Sequence, residues 1–404
     1  MGASPADSES PMRVLFSTHS GTGHFHPLVP TARALEAHGH EVAFCVPETF
    51  QSFVQANGFR VFPAGISFDS LSPEKLKEHQ RQISMRSVSP EQTEEHAAGM
   101  FIDTFARSKV PELQRVCESW KPELIVFDSM DFAPTLVGEK LGIPYASIQV
   151  GGGRMRMTDS PIFLRHLDAL RAEMGLPSDP RGQALFRYLH LAFLPVSFFG
   201  GVLAPTAHHL KPELFDRSGT EALPTWVASL GERPVVYATL GTVFNKFNRP
   251  LAMIIEGLRE EPVELIVTVG RDQDPEQFGP QPSNVHVERY IPQSLLLPRC
   301  DLAIMHGGYS SVQSALYAGL PSLVMALGAD QPMNAEACVA LGVSRLLDLA
   351  SLTPEVIRQQ VREMLTDGGY RERARGIQAE ALALPGLERG VELLERVARE
   401  KRPV

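Results

Sequence analysis

The stretch from Leu302 to Ala335 constrains the fold more than any other part of the chain. A short apolar strand, Leu302 to Met305, runs into a glycine turn, and a predicted helix follows until Gly319, with Pro321 just beyond it. A second apolar strand, Ser322 to Ala326, leads to a polar run. This order predicts a parallel βαβ unit with an anion site, because the N–H groups and the dipole at a helix start favour negative charge.

The glycine turn has the composition expected around a pyrophosphate. Gly307 and Gly308 let the backbone approach a ligand closely, and Ser310 and Ser311, which we expect to start the helix, add hydroxyl donors. His306 can add a donor or a positive charge. The alternative for so short a motif is an ordinary βαβ turn that is rich in glycine.

The wider run resembles the nucleotide-sugar signature of the family 1 glycosyltransferases, which have the GT-B fold. In that family a His-X-Gly turn with a following Ser or Thr holds the donor phosphates, and an acidic residue with a Gln holds the sugar hydroxyls. An aromatic-X-Pro-Gln segment stacks on the base, and a Gly-Thr/Ser turn approaches the β-phosphate. The resemblance implies a donor site made of Gly241, Thr242, Tyr290, Ile291, Gln293, His306, Gly307, Gly308, Tyr309, Ser310, Ser311, Asp330 and Gln331.

The N-terminal part of the chain begins with a second unit of the same kind. A predicted strand, Arg13 to Thr18, is followed by a glycine-containing loop, a helix from about Pro27 to Ala37 and a strand from Glu41 to Val46. Ligands of such sheets lie beyond the carboxyl ends of the strands, which is where the loop residue His24 falls. The glycine spacing of the loop is not that of a dinucleotide site.

His24 is the candidate general base. An acceptor hydroxyl must lose a proton as it attacks the anomeric carbon of a sugar, and an imidazole suits that role near neutral pH. The resemblance implies the same residue, since the family's catalytic histidine lies three residues before a proline, here Pro27. His19 and His26 are rivals, and a structural role of His24 in the loop is the alternative.

Asp128 is the candidate partner of that histidine. It ends a predicted strand that starts near Pro122, and the resemblance implies that its carboxylate accepts a hydrogen bond from the imidazole and fixes its tautomer. Asp131 is a possible substitute. The alternative is that Asp128 only caps the following helix.

The length of 404 residues predicts two domains, and the motifs predict an α/β GT-B fold: two Rossmann-like, doubly wound domains that face each other across a cleft. We predict a disordered tail at 1–11, an acceptor-binding domain at 12–215, a linker at 216–230, a nucleotide-sugar-binding domain at 231–385 and a C-terminal helix at 386–404 that packs back on the first domain.

The acceptor site has only weak sequence signals. The polar stretch from Ile66 to about Met100 is either part of the acceptor pocket or a surface loop. The segment from Arg154 to Phe199 is apolar enough to suggest a lipophilic acceptor such as a polyketide, macrolide, phenol or terpenoid. The residues that either line that site or belong to a helical core are Met155, Met157, Phe163, Leu164 and Leu167.

Composition excludes several classes of function. The net charge of −9 argues against a basic nucleic-acid surface, and no apolar run is long enough for a membrane span. The first eleven residues do not resemble a secretory signal, and the four cysteines are scattered without metal-binding spacing. We therefore expect a cytoplasmic protein with no metal site, and a homodimer is possible.

The resemblance implies an inverting, metal-independent transfer of a sugar from a nucleoside diphosphate to a small acceptor, with no cofactor beyond that donor substrate. Ser314 stands where many family members have a Glu that grips both ribose hydroxyls, which favours a dTDP-sugar over a UDP-sugar. Asp330 and Gln331 favour a glucose-like sugar. The alternatives are a nucleotide-sugar epimerase of the same fold and a catalytically silent GT-B partner protein.

Overall fold

The computed structural model describes residues 10–72, 89–152, 160–201, 204–216, 221–241, 248–271 and 273–404. The first part of the chain builds one parallel sheet. Its strands are β1 (Arg13–Ser17), β2 (Glu41–Val46), β3 (Arg60–Pro63), β4 (Leu124–Asp128), β5 (Tyr145–Ile148), β6 (Leu189–Ala192) and β7 (Ala207–His209). Their order across the sheet is β3-β2-β1-β4-β5-β6-β7.

The strand order of this sheet reverses between β1 and β4, which pair with each other in parallel. A crevice opens at such a point, because the connections after the two strands leave toward opposite faces. His24, predicted in a loop, lies in the short helix Thr22–Phe25 that follows β1, and β4 ends at Asp128. The fold alone therefore places these two residues at the same edge of the sheet.

Helices cover both faces of the first sheet, and the two apolar layers form separate core clusters. The α-helices are α1 (Thr22–Phe25), α2 (Val29–Ala37), α3 (Gln51–Ala56), α4 (Pro90–Ala98), α5 (Arg107–Trp120), α6 (Ala133–Leu141) and α7 (Pro161–Glu173). Short 3-10 turns lie at His26–Leu28, Glu48–Phe50, Phe68–Ser70, Gln183–Phe186 and Val196–Phe199.

One long helical segment runs from α4 through a π-helical stretch, Gly99–Ala106, into α5. The polar stretch up to about Met100 was expected to be pocket or surface loop, and a loop is wrong for its last part, because α4 is a regular helix. A signal was available, because Ser89 and Gln92 form a capping box in front of the helix. The part of that stretch at 73–88 lies outside the described residues.

Two strands at the far edge of the first sheet were missed. The segment that contains β6 was predicted to line an acceptor site or to form a helical core. No strand was predicted at the position of β7. β6 is four buried residues long and lacks the alternation of a half-buried strand, so its pattern is ambiguous. Phe163 and Leu167 of α7 belong to the core, whereas Met155 and Met157 lie outside the described residues.

The second part of the chain repeats the design around a second parallel sheet. Its strands are β8 (Val235–Thr239), β9 (Glu264–Thr268), β10 (Val285–Glu288), β11 (Leu302–Met305), β12 (Ser322–Val324) and β13 (Ser344–Leu346). Their order is β10-β9-β8-β11-β12-β13. The order again reverses at one point, between β8 and β11, so the turns after these two strands face a common crevice.

The α-helices of this second part are α8 (Asn248–Leu258), α9 (Gln293–Leu296), α10 (Tyr309–Tyr317), α11 (Gln331–Ala340), α12 (Pro354–Thr366), α13 (Gly368–Leu382) and α14 (Leu387–Glu400). Short 3-10 turns lie at Thr225–Ser229, Pro275–Phe278 and Leu297–Arg299. Among the described residues, none of the helices has the length and apolarity needed to cross a membrane.

The last helix joins the core of the first domain. Leu387, Val391 and Leu394 of α14 lie in the same apolar cluster as β1 and α2. His40 also shares a hydrogen bond of 2.9 Å with Glu395 of this helix. The chain thus crosses back after completing the second sheet, and its last helix ties the end of the chain to the first domain.

Candidate active site

His24 and Asp128 lie within hydrogen-bond distance across the end of the first sheet. His24 Nδ1 is 3.1 Å from Asp128 Oδ2, and the carboxylate is fully buried while 23% of the imidazole side chain is exposed. Within the described part of the chain, no protein group hydrogen-bonds to the other ring nitrogen, Nε2. A ring held in this way has Nδ1 protonated toward the carboxylate and a lone pair on Nε2 for a substrate.

The Asp128 carboxylate is held by four donors. Its Oδ2 accepts from the Thr18 hydroxyl at 2.9 Å, from the His19 amide at 3.3 Å and from the His24 ring. Its Oδ1 accepts from the Met130 amide at 2.6 Å. A carboxylate with both oxygens occupied has a fixed orientation, so it also fixes the plane of the imidazole.

The charges of this pair shift both pKa values. Burial alone would lower the pKa of His24, but the Asp128 charge and hydrogen bond outweigh burial, with help from Asp330 and Asp131, and the pKa is raised. Burial would raise the pKa of Asp128, but the charges of His24 and His19 and the Met130 amide hold it well below its usual range. The pair is therefore stable as a carboxylate facing an imidazole that gains a proton readily.

Asp131, the possible substitute for Asp128, has another partner. Its Oδ2 is 2.5 Å from Lys109 Nζ, and both side chains are buried. The Ser17 hydroxyl donates to the same oxygen at 2.7 Å, and Lys109 Nζ also donates to the Thr18 carbonyl at 2.8 Å. Asp131 is thus part of a buried ion pair between α5 and the end of β4, and it does not hydrogen-bond to His24.

This buried pair gives a stability prediction. We expect Asp131→Asn or Lys109→Met alone to lower the free energy of unfolding by about 3–5 kcal/mol, because each leaves an uncompensated buried charge or donor. The double variant should lose less than the sum of the two, since no lone charge remains. Chemical unfolding measures these changes. The exposed pair Arg60 and Glu41 is the control, where Glu41→Gln should stay within about 1 kcal/mol. Single-variant losses as small as that control would contradict the prediction.

The two rival histidines, His19 and His26, pack against aromatic rings and, among the residues that the structure describes, lack a hydrogen bond from the ring to a carboxylate. His19 is buried beside Phe101 and Phe105, its Nε2 is 3.0 Å from the Met130 carbonyl, and burial lowers its pKa. His26 packs edge-on against Phe215 with ring centroids 5.3 Å apart, and burial lowers its pKa to about 4. Neither ring has the carboxylate contact that raises the pKa of His24.

The donor-side turn is built around the ring of His306. A Cβ on Gly241 would lie 2.5 Å from His306 Cε1, and a Cβ on Gly308 would lie 2.5 Å from Nε2, so the ring fits only between two glycines. Gly241 also has a φ of 71°, which favours glycine. Burial lowers the pKa of His306 to about 4. The lowered pKa favours the neutral ring, so of the two predicted roles, a hydrogen-bond donor or a positive charge, it favours the donor.

The helix after this turn begins one residue earlier than predicted. α10 starts at Tyr309 with Gly308 as its N-cap residue, so Ser310 and Ser311 lie inside the first turn of the helix. The N-cap residue Gly308 has no side chain that could cap the amides at this helix end, but the Tyr309 amide interacts with the Asp330 carboxylate. The amides and hydroxyls of Ser310 and Ser311 are therefore the groups available to an anion. Thr242, the other hydroxyl assigned to the phosphates, lies outside the described residues.

Asp330 and Gln331, which were predicted to hold sugar hydroxyls together, have different surroundings although they are adjacent in the chain. The Asp330 carboxylate is half-buried, accepts from Asn334 Nδ2 at 2.7 Å, and has its pKa raised by burial. Gln331 is buried, and its Oε1 accepts from the amides of Leu327 at 2.7 Å and Gly328 at 3.2 Å. The side-chain oxygen of Gln331 therefore stabilises the loop in front of it by hydrogen bonds. A contact between Gln331 and a sugar stays a prediction.

The segment predicted to bind the base is partly covered. The guanidinium of Arg271 lies 3.8 Å from the centre of the Tyr290 ring, and Arg271 is in turn 3.0 Å from Glu221. Ile291 is buried in the core, and Gln293 Nε2 donates to the Tyr237 hydroxyl at 3.3 Å. One face of Tyr290 is thus stacked on a cation, which the sequence did not indicate. Among the described residues, no cluster of acidic, His or Cys side chains could hold a metal ion.

Comparison with known proteins identifies this chain. Two domain models of one family match it: the N-terminal domain of erythromycin biosynthesis protein CIII-like proteins at residues 33–185, and the C-terminal domain at residues 252–396. The chain belongs to this family. It is a glycosyltransferase of the antibiotic-biosynthesis type, as the predicted resemblance to family 1 glycosyltransferases implied.

The relatives of this glycosyltransferase match over nearly its whole length. It is 29% identical to 4'-demethylrebeccamycin synthase from Lentzea aerocolonigenes, over 95% of this chain and 99% of that protein. The structure of CalG4, the calicheamicin glycosyltransferase, superimposes with a TM-score of 0.79 at 22% identity, covering 96% and 99% of the chains. The structure of the glycosyltransferase VinC in complex with dTDP superimposes with a TM-score of 0.77 at 24% identity, covering 96% and 100%. These likenesses confirm the α/β GT-B fold of the glycosyltransferase.

Proposed function

We propose that this glycosyltransferase moves a glucose-like sugar from a nucleoside diphosphate donor to a hydroxyl of a small lipophilic natural product, with inversion and without a metal ion. His24 acts as the general base and Asp128 orients it. The observation that carries the proposal is the 3.1 Å contact between His24 Nδ1 and Asp128 Oδ2, which leaves Nε2 without a protein partner in the described part of the chain.

The chemistry follows from the tautomer of His24. Nδ1–H donates a hydrogen bond to the Asp128 carboxylate and keeps its proton, so the lone pair of Nε2 can take the proton of the acceptor hydroxyl. The acceptor oxygen then forms a bond to the anomeric carbon from the side opposite the phosphate, while the bond between that carbon and the phosphate oxygen breaks. The proton ends on the imidazolium, whose charge Asp128 balances, and the attack from the opposite side inverts the anomeric configuration.

The leaving nucleoside diphosphate carries the developing negative charge. The amides at the start of α10 and the hydroxyls of Ser310 and Ser311 are placed to stabilise it, together with the neutral ring of His306. His306 Nδ1 is buried and has no hydrogen-bond partner among the described residues, so a phosphate oxygen would complete its bonding. In the proposed reaction these donors stabilise the negative charge of the leaving group in place of a metal ion.

The donor nucleotide is proposed to be dTDP in preference to UDP. Ser314 stands where an acidic residue would reach two ribose hydroxyls, and its hydroxyl donates to the Ser310 carbonyl at 2.8 Å. It is also buried, so it presents little polar surface to a ligand. The complex of VinC with dTDP shows a protein of the same fold that binds this nucleotide.

The acceptor is proposed to bind beside His24 on the first domain. The ring of His19 lies 5.5 Å from that of His24, and the rings of Phe101 and Phe105 pack on its other sides. Both phenylalanines come from the π-helical stretch, a form often found at functional sites. His19 and Phe105 are buried and Phe101 is partly exposed, so the Phe101 ring is the apolar surface proposed to contact an aromatic or polyketide aglycone. A homodimer and a cytoplasmic location stay predictions.

The proposal is tested by nucleotide binding and by product analysis. We expect dTDP to raise the melting temperature more than UDP at equal concentration, because stabilisation rises with ligand concentration relative to Kd. Incubation with dTDP-glucose and a panel of lipophilic aglycones should give a hexose adduct of inverted anomeric configuration, read by mass and by proton NMR. A product of retained configuration, or no response to either nucleotide, would contradict the proposal.

A further inference from the structure

Two glycines of the first domain lie against the start of α11 in the second domain. Gly151 and Gly152 follow β5 at its carboxyl end. A Cβ on Gly152 would lie 2.6 Å from Asn334 Oδ1, and a Cβ on Gly151 would lie 3.2 Å from Asp330 Oδ2. A Cβ could not fit 2.6 Å from Asn334 Oδ1 unless one of the two groups moved. The Gly152 backbone of the acceptor domain is therefore in close contact with a polar side chain beside the donor site.

Asn334 is held in one orientation by two hydrogen bonds. Its side chain is fully buried, and Nδ2 donates to the Gly307 carbonyl at 2.9 Å and to Asp330 Oδ2 at 2.7 Å. Its Oδ1 has no hydrogen-bond partner among the described residues and faces Gly152. Because both N–H groups are engaged, the amide is not free to turn away from Gly152 without losing its bonds to the donor site.

We propose that Asn334 is a positioning residue that couples the approach of the two domains to the donor site. The contact with Gly152 fixes the position of the Asn334 side-chain amide. Through its two hydrogen bonds this amide in turn fixes the positions of the Gly307 carbonyl and the Asp330 carboxylate. The inference rests on the proposed function, since it treats Gly307 as part of the phosphate turn and Asp330 as part of the sugar site. Among the described residues, the side-chain hydrogen bonds of Asn334 go to Gly307 and Asp330 and not to His24.

The test is a double-mutant cycle between Gly152→Ala and Asn334→Ala. In the unaltered background we expect Gly152→Ala to lower kcat for transfer by about 10²-fold, because the added methyl group displaces the amide and the groups bonded to it. In the Asn334→Ala background the next nearest atom to that methyl is Met333 Cβ at 3.8 Å, an ordinary contact. There Gly152→Ala should change kcat by no more than about twofold.

Two further measurements separate positioning from a loss of structure. The affinity for free dTDP should change by less than about threefold in Gly152→Ala, because Asn334 holds the Gly307 carbonyl and not the amides and hydroxyls proposed to bind the phosphates, so the effect falls on kcat more than on nucleotide binding. Gly376→Ala is the matched control, since a Cβ there has no atom within 4 Å and should leave kcat unchanged. Melting temperatures check that every variant is folded.

The inference is overturned if Gly152→Ala is harmless in the unaltered background, or if it lowers kcat equally in both backgrounds. Failure of the proposed function has a different signature: the unaltered protein would neither bind dTDP nor transfer a sugar. Failure of the coupling leaves transfer by the unaltered protein intact and removes only the dependence of the Gly152→Ala effect on Asn334.

Discussion

Replacing His24 by alanine will lower kcat by about 10²–10⁴-fold, the usual contribution of a positioned general base. The variant should keep its fold, because the ring is partly exposed and its hydrogen bond to Asp128 is only one of four on that carboxylate. The affinity for dTDP should also be kept, since the proposed donor site is on the other domain. Initial rates at saturating donor and acceptor measure the effect.

The rival histidine supplies the control for this prediction. His26→Ala removes a ring that packs on Phe215 and has its pKa lowered to about 4. We expect it to lose less than about tenfold in kcat, since no proton transfer depends on it. If His26→Ala lost more activity than His24→Ala at equal stability, the assignment of the base would be wrong.

Replacing Asp128 by asparagine will lower kcat by about 10²-fold or more and will also move the pH profile. The base must be neutral to accept a proton, so activity falls as the pH drops through the pKa of His24, which Asp128 raises. Without the carboxylate, burial dominates and the pKa of His24 falls, so the acidic limb of kcat/KM should move to lower pH. The amide also conflicts with the donors around it, because both oxygens of Asp128 accept hydrogen bonds and the NH₂ group has to replace one of them.

The matching measurement is kcat/KM against pH for the unaltered protein and for Asp128→Asn, with melting temperatures at each pH. Lower activity together with an acidic limb moved to lower pH is the expected pair of results. An unchanged limb would show that Asp128 does not set the pKa of the group that titrates, and a moved limb with unchanged kcat would show that the tautomer of His24 is not limiting.

The parts of the fold that could be predicted are those whose signals are local. The strands Glu41–Val46 and Leu302–Met305 have the predicted bounds, because continuous apolar runs next to glycine turns have few other interpretations. The helix Pro90–Ala98 was missed because its residues are mostly polar and its capping signal is short. The four-residue strand Leu189–Ala192 was missed because length and pattern do not separate it from a helix.

The sequence predicted which residues of the candidate site lie at the ends of the strands, but it did not predict several of the side-chain contacts there. His24 and Asp128 follow neighbouring strands, so the topology alone brings them to one edge. The pairing of Asp131 with Lys109 depends on how α5 packs on the sheet, which no local pattern encodes. The same holds for Arg271 over Tyr290 and for Asn334 against Gly152, since each contact joins segments far apart in the chain.

The most direct test of the account is a crystal structure of the protein with a slowly transferred dTDP-sugar analogue. We expect the diphosphate to hydrogen-bond to the amides at Gly308–Ser311 and to His306, with the anomeric carbon directed toward His24 Nε2. A structure that left this corner empty while the nucleotide bound elsewhere would contradict it, as would one in which His24 faced away from the sugar.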